Sequence, residues 1–363
     1  METYEINNFF RLLRLGIGTE EYSNFPVLTE EEWQNIYDMG KKQSVCVLLL
    51  EGINCLPEEK RPDQELIMQL TRIKVTVERV NRKLDQKAVK VCNFFKKYGF
   101  SPILLKGQGV ATLYPKPELR TPGDIDIWLP DGREKVTKFI KEREPEAEVL
   151  FHHIHLIEKD GMDVEIHNVP TLMYNPFVHR KMMKLFKRWK DMGQETDLPD
   201  GAGKVVTPCD EMNRIYMLAH KYRHLFTEGI GLKQVIDYMF LMKKGFSEDE
   251  RLKTVNILKE LKMTRFCSAV MYILVDVLGM ERKHLIMEPD KAAGKRLLDE
   301  IMIGGNFGIY DERIDREVKS DSIQSFWMRN KRNMRFITDY PHEVLWGPYF
   351  KIYNWFWRRK KHY

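Results

Sequence analysis

Two acidic residues stand two positions apart in the apolar stretch Gly123-Asp124-Ile125-Asp126-Ile127. Aspartate is disfavoured in strands, so the pair calls for a reason. Period-2 alternation puts both carboxylates on one face and sends Ile125 and Ile127 to the other, into a core. The two Cα atoms then lie roughly 6 to 7 Å apart. Like charges that close repel unless a cation lies between them. Mg²⁺ suits the position, being a hard ion that takes oxygen ligands and shares them with phosphates, and Mn²⁺ is its usual substitute. A second alternating stretch, Met162-Asp163-Val164-Glu165-Ile166-His167, places Asp163, Glu165 and His167 on one face. If the two strands are neighbours, Glu165 or Asp163 completes a three-carboxylate cluster, which can hold two metals about 3.5 to 4 Å apart. The plain alternative is a pair of hydrated carboxylates at a strand end. The preceding glycine, the alternating isoleucines and the second acidic strand argue against it.

Groups for a phosphate stand nearby. Lys106-Gly107 follows the apolar run Pro102-Ile103-Leu104-Leu105. A glycine there lets backbone N–H groups approach a phosphate, and Lys106 adds a point charge. Arg120, four residues before Asp124, has the fork to hold a phosphate in a bidentate way. Lys106-Gly107-Gln108-Gly109 matches neither the Walker A pattern nor G-x-G-x-x-G, and by itself reads as a tight strand-to-helix turn.

The elements that must position these groups are a small mixed sheet between helical segments. Thr29-Glu30-Glu31-Glu32 opens a helix with a capping box, and Asp63 to Tyr98 runs as one long helical pattern, with Gly99 where a C-cap belongs. The texture changes to short strands at Ser101, with a helix from Arg133 to Glu142. His152 to Ile157 and Met162 to His167 flank Lys159-Asp160-Gly161 as a hairpin. Pro199-Asp200-Gly201, with Gly203 and Pro208, reads as a linker to an all-helical lobe whose main segments are Met212 to Leu225, Leu232 to Lys243 and Asp249 to Leu278. The expected division is an N-terminal helical segment (1–60), a mixed core (61–200) and a C-terminal helical lobe with a basic aromatic tail (205–363).

Leu104-Leu105-Lys106-Gly107, Tyr114-Pro115, Arg120-x-x-Gly123-Asp124-Ile125-Asp126-Ile127 and Val164-Glu165-Ile166-His167 together resemble the uncharacterised nucleotidyltransferase family, of the DNA polymerase β-like nucleotidyltransferase superfamily. The resemblance implies an α+β fold, a small mixed sheet flanked by helices. It implies metal-dependent transfer of a nucleoside monophosphate from an NTP, such as ATP, with release of pyrophosphate. Asp124, Asp126 and Glu165 match the catalytic metal ligands, with Asp163 the rival for the third place. Lys106, Gly107, Arg120 and Gly123 fall on the triphosphate side. The resemblance also turns the helix bearing Lys233 and Asp237 toward the nucleotide or second substrate; by spacing alone those two are an ordinary i, i+4 ion pair. The chain departs from the superfamily's Gly-Ser or Gly-Gly signature: Gln108 follows Gly107, and sixteen residues separate Gly107 from Asp124.

The chain has 363 residues, 43% hydrophobic and 31% charged, enough to bury a large core and too apolar for wholesale disorder. No stretch has the roughly 20 apolar residues of a membrane span, and the start, Met1 to Glu5, lacks the marks of a signal peptide. The five cysteines form no C-x-x-C and fit a reducing cytoplasm. A net charge of +6 permits a phosphate-bearing substrate without demanding a long nucleic-acid footprint. The acceptor is a small molecule, a sugar phosphate, an RNA end or a protein hydroxyl. Two other functions compete: a nucleotide-binding scaffold without turnover, prompted by the Gly-Gln turn, and a metal-dependent phosphohydrolase, prompted by His152, His153, His155 and His167. His220 and His224 lie one turn apart in the helical lobe. The tail Trp355-Phe356-Trp357-Arg358-Arg359-Lys360-Lys361 suits an anionic surface or a terminal helix that packs its aromatics on the body; the second is expected.

Overall fold

A computed structural model describes residues 3–156, 161–315 and 322–360. The chain begins with α1 (Thr3–Gly16), α2 (Glu30–Gln43) and α3 (Cys46–Asn54). Thr29 caps α2 through the expected reciprocal bonds with Glu32. α1 and α3 cross at glycines: a Cβ on Gly16 would stand 1.8 Å from Leu48 O, and one on Gly52 2.0 Å from Leu12 O. α4 (Gln64–Lys97) is one uninterrupted helix of 34 residues. Asp63 caps it by accepting from Leu66 N, and Gly99 follows its end at φ 76°.

The mixed region is β1 (Ile103–Leu104), α5 (Gln108–Ala111), β2 (Ile125–Trp128), α6 (Arg133–Lys141), β3 (Glu148–Val149), β4 (His153–Leu156) and β5 (Val164–His167). The sheet order is β1-β2-β5-β4-β3. β2 and β5 are parallel, with Asp126 opposite Glu165; the other pairs are antiparallel. One sheet face, Leu104, Ile125, Ile127, Ile154, Val164 and Ile166, packs on Leu84, Ala88, Val91 and Phe95 of α4 and Val136 and Ile140 of α6. Alternation sends Asp126, Glu165, His167, His153 and His155 to the other face.

α7 (Pro176–Trp189), β6 (Gln194–Leu198) and β7 (Gly203–Thr207) follow, then α8 (Asp210–Thr227), α9 (Leu232–Lys243), α10 (Glu248–Glu260), α11 (Thr264–Tyr272), α12 (Lys291–Gly304), α13 (Ile323–Met334) and α14 (Pro341–Lys360). The N-terminal helices share one apolar core with this lobe. Gln43 buckles them together, its amide donating to Ile301 O (2.8 Å) and accepting from Leu232 N (3.0 Å).

The described residues form an α+β protein, as expected. Three local readings are corrected. The stretch 199–203 is no linker: it is the turn of the β6–β7 hairpin, with Asp200 at φ 54°. Proline and glycine mark hairpin turns as strongly as linkers. The segment Asp249 to Leu278 is two helices, broken where Lys262 takes φ 57°, and the second ends in a π-helical turn, Ile273–Val277. α7 lies outside the expected segments, although Asn175 caps it before Pro176 and Val178, Met182, Phe186 and Trp189 form its buried stripe. Of the expected His152 hairpin, Ile157, Lys159 and Asp160 lie outside the described residues, as does Lys361 of the tail.

α14 is tied to the body by a buried acid. Glu343, 4% exposed, accepts from Tyr174 N (2.6 Å) and Asn175 N (3.4 Å). Burial outweighs both bonds and raises its carboxyl from 4.5 to about 7. The folded state therefore holds a proton that the unfolded chain releases between these values, and this group's contribution to stability falls as pH rises from 4.5 through 7. Glu343→Gln is expected to be more stable than the parent above pH 7, by on the order of 3 kcal/mol, with the gap closing below pH 4.5. Calorimetry across that range checks it; a gap independent of pH would refute it.

Candidate active site

β2 delivers Asp124 at its mouth and Asp126 within it. The strand is held on both sides: Ile125 N donates to Asp163 O, and Leu105 N to Asp126 O, both at 2.9 Å. The parallel register sets Glu165 beside Asp126. One ligand oxygen from each of Asp124, Asp126 and Glu165 lies within 4.8 Å of the others. Asp163 is not in the group; its side chain is 73% exposed and lies 3.7 Å from His155 Nε2.

Two cationic groups face these anions. Lys106 Nζ stands 3.5 Å from Asp124 Oδ2 and 3.2 Å from Asp126 Oδ2. His167 Nε2 lies 2.7 Å from Asp126 Oδ1 and 3.3 Å from Glu165 Oε2. Burial opposes charge on His167, yet its bonds to Asp126 and Glu165 raise it to about 9. Burial would raise Asp124, but Lys106 and Lys233 outweigh it and hold this carboxyl well below the usual range. Asp126 is pushed up by its burial and by Asp124. Glu165 settles near 2, burial being overcome by His167 and His153.

Gly107, at φ 59°, makes the turn out of β1, and a Cβ there would lie 3.2 Å from Asp124 O. Lys233 Nζ donates to Pro122 O at 3.0 Å and would stand 3.4 Å from a Cβ at Gly123. Burial and Arg120 lower its ammonium to about 7. Arg120 and Asp237 are both buried and bonded to each other, Nε to Oδ1 at 2.8 Å and Nη2 to Oδ2 at 2.9 Å. Tyr114 adds a third bond to Asp237 at 2.7 Å. The fork of Arg120 is thus turned to a protein carboxylate, and the i, i+4 partner expected for Lys233 is engaged elsewhere. Behind the turn, Gln108 donates to Asp85 Oδ1 (2.7 Å), and Asn81 donates to Arg120 O (2.8 Å).

The donor set fits a hard divalent cation. It is all oxygen, its three ligand atoms lie within 4.8 Å of one another, and an ammonium already stands against it, 3.2 Å from the buried Asp126 Oδ2. His153, Glu165 and His167 form a second, mixed group within the same 4.8 Å. His153, bonded to His152 at 2.8 Å, is held neutral by burial, near 3. α8 brings two more side chains near: His220, noted for its spacing to His224, and Tyr216, which no expectation names. Tyr216 OH and His220 Nδ1 are buried without hydrogen-bond partners, and Tyr216 feels Asp126, Lys106 and Asp124 electrostatically. Tyr216 and His220 one turn apart was the available signal.

The site is thus a small mixed sheet with grouped carboxylates on one face and helices packed on the other. A model described as uncharacterised nucleotidyltransferase matches residues 29–279, and the chain belongs to that family. Among solved structures, the crystal structure of an antigenic nucleotidyltransferase-like protein from Paracoccidioides brasiliensis is similar at 12% identity and a TM-score of 0.31, over 60% of this chain and 95% of that one. No curated protein matches the chain.

Proposed function

We propose that the protein transfers a nucleoside monophosphate from an NTP to an acceptor hydroxyl or phosphate and releases pyrophosphate. The observation that carries this reading is the meeting of Asp124, Asp126 and Glu165 oxygens within 4.8 Å, on strands 41 positions apart in their Asp126–His167 contact. These three residues would hold Mg²⁺ or Mn²⁺. A divalent ion there would sharpen the acceptor as a nucleophile and neutralise the charge leaving with pyrophosphate. Lys106, at the mouth of the cluster, offers its ammonium to the triphosphate, and the open backbone at Gly107 lets the phosphates approach. Lys233 fixes Pro122 and Gly123, and the Arg120–Asp237–Tyr114 group holds the segment that delivers Asp124. His167 orients Asp126 and Glu165 through one nitrogen. Glu165 orients the acceptor hydroxyl; the new O–P bond forms at the α-phosphorus, the bridge to the β-phosphate breaks, and the acceptor proton passes to water.

The test is transfer of labelled nucleoside monophosphate in the presence of Mg²⁺ or Mn²⁺, across small-molecule, sugar-phosphate, RNA and protein acceptors. Transfer is expected to stop with chelator and return with either metal. Tight nucleotide binding with no pyrophosphate release under any acceptor would instead mark a scaffold. The His153–Glu165–His167 group favours a second reading, a metal-dependent phosphohydrolase. Zinc, iron or manganese found with the purified protein and lost from His153→Ala would favour that one.

A further inference from the structure

Along α14, Leu345, Tyr349, Ile352, Tyr353 and Phe356 are 58, 68, 50, 56 and 55% exposed. Single exposed apolar residues are ordinary; five in one register are not. Their spacing, i, i+4, i+7, i+8 and i+11, puts them in one stripe about 17 Å long. The neighbouring face is docked: Phe350 lies 5.5 Å from Phe151 and 5.1 Å from Tyr174, Trp357 lies 5.3 Å from Phe151, and Glu343 holds the first turn. The expected packing of the tail's aromatics thus holds for one face; Tyr353 stands at its border, its ring 6.0 Å from Phe151, and Leu345, Tyr349, Ile352 and Phe356 face outward. Beyond Glu343 the sequence has no acidic residue and five basic ones, Lys351, Arg358, Arg359, Lys360 and Lys361. Arg358 and Arg359 are exposed, and Arg359 continues the register of the stripe, three residues past Phe356.

We propose that α14 is a peripheral docking helix that lies on an anionic lipid surface, with the Leu345–Phe356 stripe at the acyl boundary, Arg359 in the stripe's register among the headgroups, and Arg358 adding charge from the other side of the same turn. Tyrosine suits that boundary, and basic residues at one end supply the attraction to anionic lipid. The composition argues against other occupants. A second copy paired through this same segment would offer no acid to meet its cations, since the chain beyond Glu343 has none. RNA would use the aromatics for stacking and leave Leu345 and Ile352 without a role. The helix needs no rearrangement to bind, because the other face already fixes it to the body.

The experiment is cosedimentation of the full chain with vesicles of phosphatidylcholine alone or mixed with phosphatidylserine. Two variants accompany it, Tyr349→Glu with Ile352→Glu and Arg358→Glu with Arg359→Glu. All four positions are exposed, so circular dichroism and thermal unfolding should match the parent. The parent is expected to sediment with the mixed vesicles, at least about tenfold more weakly with phosphatidylcholine alone, and each double variant to lose at least about tenfold. Raised salt should release the protein. Failure to bind mixed vesicles, or variants that bind like the parent, overturns the proposal. So does a dimer in gel filtration that Ile352→Glu dissociates, or tighter binding to a single-stranded RNA oligonucleotide than to the mixed vesicles.

Discussion

Asp124→Ala combined with Asp126→Ala is expected to lower nucleoside monophosphate transfer by at least about a thousandfold while the protein stays folded. The size follows from what the pair is asked to do. Without both carboxylates the cluster keeps Glu165 alone, and one carboxylate does not assemble the charge needed to bring a divalent ion and a triphosphate together. The fold should survive because β2 is held by other means: Ile125 and Ile127 pack on α4 and α6, and the strand's ladder bonds are backbone groups. The change has opposing effects on stability. It removes the repulsion that raises Asp126, and it leaves Lys106 without the anions it faces. Asp124→Asn with Asp126→Asn keeps the shape and serves as the control. Transfer that persists in both variants, with circular dichroism unchanged, would refute the proposed chemistry.

The second large effect concerns stability. Arg120→Ala is expected to destabilise the protein by about 3 to 5 kcal/mol, the usual result of stranding one member of a buried charge pair. Asp237 would then be buried without its guanidinium, left to Tyr114 and the neighbouring Lys233 and Lys221. Replacing both members by apolar residues of similar size, Arg120→Met with Asp237→Leu, should cost less, since neither member of the pair is left charged and alone. Urea unfolding of the two single variants and the double variant measures the coupling. If Arg120→Ala costs less than about 1 kcal/mol, the pair is not the strut described here. Because Arg120 lies four residues before Asp124, the double variant also asks whether the strut positions the acidic strand: transfer should fall further than stability does.

The parts of the site that local spacing could reveal are those written within a single strand. Asp124 and Asp126 share a face because the period is two and isoleucines occupy the alternate positions. The choice between Asp163 and Glu165 needs the register of β5 against β2, and that register is set by a crossover with its own helix and two further strands. Arg120 and Asp237 are 117 positions apart, so nothing local announces their pairing; the nearby i, i+4 Lys233 drew attention instead. The long helix α4 is legible because a capping residue, an unbroken run of helix formers and a terminal glycine agree. The β6–β7 hairpin is not, because its strands alternate weakly around a turn that also looks like a boundary.

The parallel pairing of β2 with β5 bears on how the protein comes to possess a site at all. Neighbours in an antiparallel hairpin meet after a short loop closes, whereas this pair meets only after the intervening crossover is in place, and such long-range pairings are slow to form. A chain emerging from synthesis would complete α4 and β2 while Glu165 was still unjoined. The three carboxylates would therefore come together late, and partly folded forms, however helical, would lack the complete cluster.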